Sequence, residues 1–295
     1  MTLRELQALF YGQLNPMYEA DELPKVWRWW MCERLNCAPL QLSQSMNDGL
    51  SVHQIHQLEA DLVRFSSGEP LQYILGNTEF FSLKFKCSSS ALIPRPETEL
   101  LIEIILSQDD TAPKTVMDLG TGSGVIAVTL AAARPDWSVI ATDASIKALR
   151  IAQQNGAGLT NLDFVAGHWL ACFGGVVADI IVANPPYIDP LDPHLAALVF
   201  EPQSALVAQD NGYADLKTII HQSTPLLAKN GYLLLEHGYN QQDAVLREMR
   251  LAGYAPTAYC DLAGNPRAVI DSFLVPVTRK NNTSLASWDF KLSRP

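Results

Sequence analysis

Through residues 1–70 apolar side chains recur at helical spacing, and strand signal is almost absent. Leu3, Leu6, Leu9 and Phe10 share one face. Val26, Trp29, Trp30 and Leu35 repeat with the same period, as do Ile55, Leu58, Leu62 and Phe65. Ser51 suits the N-cap of the last of these helices and Gly68 its stop. The pattern then changes. Two short β-like runs, Gly76–Phe80 and Leu83–Lys86, suit a hairpin within residues 71–95, and Pro94 and Pro96 open a helix over Glu97–Leu106.

From 114 onward, apolar runs alternate with helical patterns. Strands are expected over 115–119, 138–142, 162–166, 179–183 and 231–236. Helices are expected over 125–133, 144–155, 212–228 and 241–252. Two late strands, 255–260 and 268–276, suit an antiparallel edge. Such alternation predicts an α/β fold, a mostly parallel sheet with helices on both faces. Residues 277–295 are polar and read as a flexible tail.

Composition narrows the class. At 295 residues with 48% apolar side chains, the chain has room for two domains and a real core. A net charge of −10 with only 21 Lys and Arg argues against direct, specific nucleic-acid binding, which needs clustered cations. Five cysteines, odd in number and without C-x-x-C spacing, suit neither a disulfide framework nor a zinc site, and no metal is expected. The first residues lack a signal-peptide pattern, and no run approaches the ~20 apolar residues that span a bilayer. A cytoplasmic protein with no membrane partner is expected.

The chemistry begins at Asn184-Pro185-Pro186-Tyr187. Two prolines cannot continue a sheet ladder, so the strand 179–183 stops at Asn184. Asn184 then stands at a strand's carboxyl end, where open α/β sheets place ligands. Its side-chain oxygen and the Pro185 carbonyl are two acceptors, and Tyr187 adds a ring. That set suits a planar –NH₂ group. The plain alternative is a proline-rich turn with a buried tyrosine. A second motif, Asp118-Leu119-Gly120-Thr121-Gly122-Ser123-Gly124, joins a strand to a helix of small residues. Such a turn lets a ligand approach the backbone near a helix amino terminus. Val125 stands where a dinucleotide fingerprint needs glycine, and there is no phosphate-loop Gly-Lys-Ser/Thr triplet. Asp143, at the end of the next strand, suits a ribose acceptor or the N-cap of the helix after it. Trp169 suits an adenine stack or an ordinary core position.

The glycine loop resembles the S-adenosylmethionine loop of Rossmann-like methyltransferases, and the order of the motifs is that of amino-group methyltransferases. The chain is similar to the release-factor glutamine methyltransferases, of HemK/PrmC type, over about residues 50–275. Gly68-Glu69-Pro70, the run Leu92–Glu99 with its Pro-Arg-Pro-Glu-Thr-Glu, Phe200-Glu201-Pro202 and Leu234–Gly238 carry the resemblance. It implies a helical substrate-docking domain over 1–70, a β-hairpin linker over 71–95 and a methyltransferase domain over 96–276. It implies S-adenosyl-L-methionine held by Gly120, Thr121, Gly122, Ser123, Gly124, Asp143, Trp169 and Asn184. Asn184, Pro185 and Tyr187 would be catalytic, with Pro186 joining them in holding substrate. The substrate would be the glutamine amide of the Gly-Gly-Gln motif of peptide chain release factors. Rivals are a ribosomal-protein glutamine methyltransferase, a nucleic-acid adenine methyltransferase and a non-catalytic module of the same fold. Glu236 and His237 are expected to be structural, and Arg95 to brace the linker through Glu97 or Glu99. Three departures stand out: His168 where relatives usually carry Asp, a shorter 189–200 loop, and the tail.

Overall fold

The computed structural model describes residues 1–14, 18, 21–108, 112–175 and 177–271; the expected tail and the end of the last strand lie outside them. Five helices open the chain: α1 (Leu3–Leu14), α2 (Leu23–Leu35), α3 (Pro39–Gln44), α4 (Val52–Ser66) and α5 (Leu71–Leu75). Ser51 caps α4, its hydroxyl accepting the Gln54 amide. Two faces differ from the expected ones. In α1 Leu9 is 50% exposed, and Leu3, Leu6, Phe10 and Leu14 face inward. In α2 the buried set is Leu23, Trp27, Trp30 and Met31, while Val26, Trp29 and Leu35 are half-buried. Phe10 decides this phase by contacting both Trp27 and Trp30, at 5.5 and 5.3 Å between ring centres. Trp27 and Trp30 are thus core residues. Inside this core the Trp30 indole donates to Asp61 at 2.7 Å, and Arg34 donates to the same carboxylate at 2.6 and 3.0 Å. The helical cluster runs past residue 70, because Leu71, Ile74 and Leu75 of α5 pack in it.

The hairpin is β1 (Asn77–Phe80) and β2 (Leu83–Lys86), paired antiparallel. Its Phe80 and Phe85 pack into the core of the main sheet. A 3₁₀ turn, Pro96–Thr98, precedes α6 (Glu99–Leu106). Then follow β3 (Thr115–Leu119), α7 (Val125–Ala133), β4 (Ser138–Asp143), α8 (Ile146–Asn155), β5 (Leu162–Ala166) and β6 (Ala178–Ala183). The one-turn α9 (Gln209–Gly212), α10 (Ala214–Ser223), β7 (Leu227–Glu236), α11 (Gln242–Leu251), β8 (Pro256–Cys260) and β9 (Pro266–Asp271) complete the order. Helix α10 is shorter than expected. Thr224-Pro225 breaks it, since Pro225 cannot donate to the helix ladder, and β7 begins at once.

The seven-stranded sheet runs β5-β4-β3-β6-β7-β9-β8. The first five strands are parallel, and β9 and β8 form the antiparallel edge. One face packs on α6, α7 and the hairpin; the other packs on α10 and α11. Register positions the site. Leu119 pairs with Thr142 on one side and with Ala183 on the other, and Ala183 pairs with Leu235. The glycine loop, Asp143, Asn184 and Glu236 therefore leave the sheet at one level. The glycine loop, Asp143 and Asn184 border the crevice where strand order reverses, the usual ligand position in such sheets.

Candidate active site

The loop after β3 turns through left-handed conformations at Gly120 (φ 68°) and Gly122 (φ 58°). Gly120 also admits a close neighbour: a Cβ there would lie 2.9 Å from the Trp169 ring. Asp118, at the strand's end, is buried. It accepts the Thr121 hydroxyl at 2.6 Å and the Ala127 amide at 3.1 Å. Burial outweighs those bonds and pushes its pKa up to about 7.

Asp143 accepts the Gly122 amide at 2.9 Å and the Ser145 amide at 2.7 Å, one on each oxygen. The cap of α8 is Ser145, whose hydroxyl accepts the Ala148 amide, so the helix starts later than expected and Asp143 is not its cap. A carboxylate has about four acceptor positions. Two remain for a ligand in the cleft that Asp143 lines. Burial raises the Asp143 pKa, and the two backbone amides oppose the shift.

Thr121, Ser123 and the glycines at 120 and 122 line this cleft, together with His168 and Trp169. Trp169 is 8% exposed, and its indole donates to Asp215 at 3.0 Å. The Cα of Gly124 faces α8, where a Cβ would meet Ala152 at 3.0 Å. It serves helix packing and does not line the cleft.

Asn184 stands where two clefts meet. It lines the cleft of the glycine loop, as does Pro186. It also lines a second cleft, with Pro185, Tyr187, Leu92 and Leu198. Its Nδ2 donates to the Thr98 hydroxyl at 3.0 Å, and its Oδ1 has no partner among the described residues. The Tyr187 phenol donates to Glu236 at 3.3 Å. Glu236 is fully buried, and burial pushes its pKa up to about 7 against the Thr98 and Tyr187 hydroxyls and Arg267. His237 is also buried and lines neither cleft; its Nδ1–H donates to the Gly238 carbonyl, and burial lowers its pKa. Arg95 does not use Glu97 or Glu99. It pairs with Glu201, which also accepts the Ile93 amide at 3.0 Å. Glu97 lies 3.9 Å from Arg267, and Glu99 accepts the Phe81 amide. Thr98, Glu201 and Asp215 join the site without a signal of their own. Thr98 and Glu201 sit in the Leu92–Glu99 and Phe200–Pro202 runs, the only pointer to them.

A parallel sheet with a glycine loop after its first core strand, an acid ending the second and Asn-Pro-Pro-Tyr after the fourth defines a methyltransferase. Residues 95–207 match the methyltransferase small domain family, and residues 18–76 match the PrmC N-terminal domain. A solved methyltransferase from Pyrococcus furiosus shares the fold, with TM-score 0.51 and 12% identity over 75% of this chain and 98% of that one. The release factor glutamine methyltransferase of Escherichia coli K12 is 42% identical over 229 residues, 76% of this chain and 83% of the relative. The enzyme of that name from Enterococcus faecalis is 38% identical over 232 residues, with the same coverage. The chain belongs to the release factor glutamine methyltransferase family. Among the described residues no helix is long and apolar enough to cross a membrane.

Proposed function

We propose that this enzyme methylates the side-chain amide of the glutamine in the Gly-Gly-Gln motif of peptide chain release factors. S-adenosyl-L-methionine in the glycine-loop cleft would supply an electrophilic methyl group. The observation that carries the reading is Asn184 at the junction of two clefts, with Nδ2 tied to Thr98 and Oδ1 unengaged. Gly120, Thr121, Gly122 and Ser123 would hold the cofactor's amino-acid part, Asp143 its ribose and Trp169 its adenine. The donor set fits, since Asp143 keeps free acceptor positions and the glycines open the backbone to contact.

An amide nitrogen is a poor nucleophile because its lone pair is delocalised into the carbonyl. The residues here need to orient it more than deprotonate it. Asn184 Oδ1 and the Pro185 carbonyl would accept its two hydrogens and aim the lone pair across the junction, while Tyr187 packs on the amide plane; as the N–CH₃ bond forms, the donor's S–CH₃ bond would break to leave a neutral thioether, and one of the two hydrogens would leave to solvent as a proton. Fixed dipoles and positioning then lower the barrier. Residues 1–75, a separate helical cluster, would dock the protein substrate. Release factors act in translation, so the reading implies a cytoplasmic enzyme. The test is incubation with labelled S-adenosylmethionine and a release factor, with the methyl located by mass spectrometry. A methyl on any residue other than that glutamine, or none, overturns the reading.

A further inference from the structure

Trp169 has a left-handed backbone, with φ 48°. A bulky side chain rarely adopts that conformation, and it persists only where the surroundings fix it. Two bonds from one helix do so. The Trp169 indole donates to Asp215 at 3.0 Å, and the amide of the next residue, Leu170, donates to the Gln222 side-chain oxygen at 3.1 Å. Asp215 and Gln222 both belong to α10, seven positions apart, so two turns separate them on one face. The helix itself is anchored, because its Leu216, Ile219 and Ile220 are buried against the sheet.

The clamp has a consequence at the cleft. The Trp169 ring stands against the glycine loop, so close to Gly120 that a Cβ there would lie 2.9 Å from it. An indole N–H can only donate, and in a ring 8% exposed it needs an acceptor. Asp215 supplies a carboxylate, which makes a stronger bond than a neutral oxygen would. Without it the ring loses the contact that fixes its edge, and the turn loses one of the two bonds that hold its backbone in a costly form. We infer that Asp215 and Gln222 are positioning residues for cofactor binding: from α10 they hold the turn after β5 so that the Trp169 ring forms a ready-made wall of the glycine-loop cleft. This rests on the reading of that cleft as the cofactor site. A wall set in advance spares the ligand the cost of ordering it.

Calorimetry of S-adenosyl-L-methionine binding to four variants tests this. Asp215→Ala should weaken affinity by about tenfold, and Gln222→Ala by about threefold. Asp215→Asn keeps an oxygen that accepts the indole and should recover most of the loss. In a Trp169→Phe background, Asp215→Ala should cost almost nothing more, because the group it acts through is gone. Asp215 itself lines the cleft. If Asp215→Ala weakens binding as much without the indole as with it, Asp215 touches the ligand directly and the inference fails. Wild-type affinity in Asp215→Ala overturns it as well. A readout that needs no cofactor is the Trp169 indole N–H signal of ¹⁵N-labelled protein, assigned by its loss in Trp169→Phe. It should move in Asp215→Ala and in Gln222→Ala; a signal unmoved by Asp215→Ala contradicts the clamp. If wild type binds no S-adenosyl-L-methionine, the cofactor reading of the cleft fails, and the indole signal still decides whether α10 holds the ring.

Discussion

Asp143 and Gly122 are joined by a hydrogen bond of 2.9 Å, so the acid ending β4 and the loop following β3 form one unit. The same carboxylate reaches Ser145 at 2.7 Å. Asp143→Ala should therefore weaken S-adenosylmethionine binding twice, by losing the ribose acceptor and by loosening the loop. A charge-assisted bond alone is worth ~1.5–3 kcal/mol. Calorimetry that finds unchanged cofactor affinity removes Asp143 from the site.

Two glycines of the loop should respond differently. Gly124→Ala places a Cβ 3.0 Å from Ala152 at φ 88°. The left-handed conformation costs about 1–2 kcal/mol for a residue with a side chain. Tm should fall while cofactor affinity in the folded protein holds. Gly120→Ala drives a Cβ into the Trp169 ring at 2.9 Å and should weaken cofactor binding directly. Equal losses of affinity in the two variants would contradict the packing role of Gly124.

Asn184→Ala should keep cofactor affinity and reduce methyl transfer by roughly a hundredfold, as for a lost preorganised hydrogen-bond partner. Asn184→Asp should recover little. It removes the donor that Thr98 accepts and adds a carboxylate near buried Glu236. Single-turnover kinetics at saturating cofactor measure both; near-wild-type turnover in Asn184→Ala would remove the amide from the transfer step.

Stability should carry the signature of Glu236. Its folded pKa is raised from 4.5 to about 7. A raised carboxyl stabilises the fold fully below its unfolded pKa, and the contribution is lost as pH rises through the folded value. The Tm of Glu236→Gln minus that of wild type should therefore grow between about pH 5 and 8, since the amide never ionises. A difference that is flat across this range contradicts the raised pKa.

Removal of residues 1–75 should spare cofactor binding and sharply lower turnover on folded release factor. A stable protein interface needs about 800 Å² from each partner, more than the clefts around Asn184 present. Calorimetry first confirms that the truncated domain binds cofactor. Full efficiency on release factor would then exclude a docking role for the helical cluster.

Much of the sheet domain is written in local pattern. Parallel strands buried on both faces read as unbroken apolar runs, which is why the pattern predicts the ends of β3, β4, β5 and β6 to within a residue. The glycine loop and Asn184 were equally plain, because a turn with φ above zero and a strand halted by two prolines each leave a local mark. The phase of α2 was not. Trp27, Trp29 and Trp30 fit two faces, and only Phe10 of another helix selects 27 and 30. The surroundings of Asn184 were hidden for a related reason. Thr98 lies 86 positions away and Glu236 lies 49 from Tyr187, and Arg95 meets Glu201 across 106. Periodicity records which face of an element is apolar, so it reveals elements and their buried sides. It carries no record of which polar groups meet across the fold; the pairing of Ala183 with Leu235 supplies that, by bringing Asn184 and buried Glu236, the residues that follow them, to one level of the sheet.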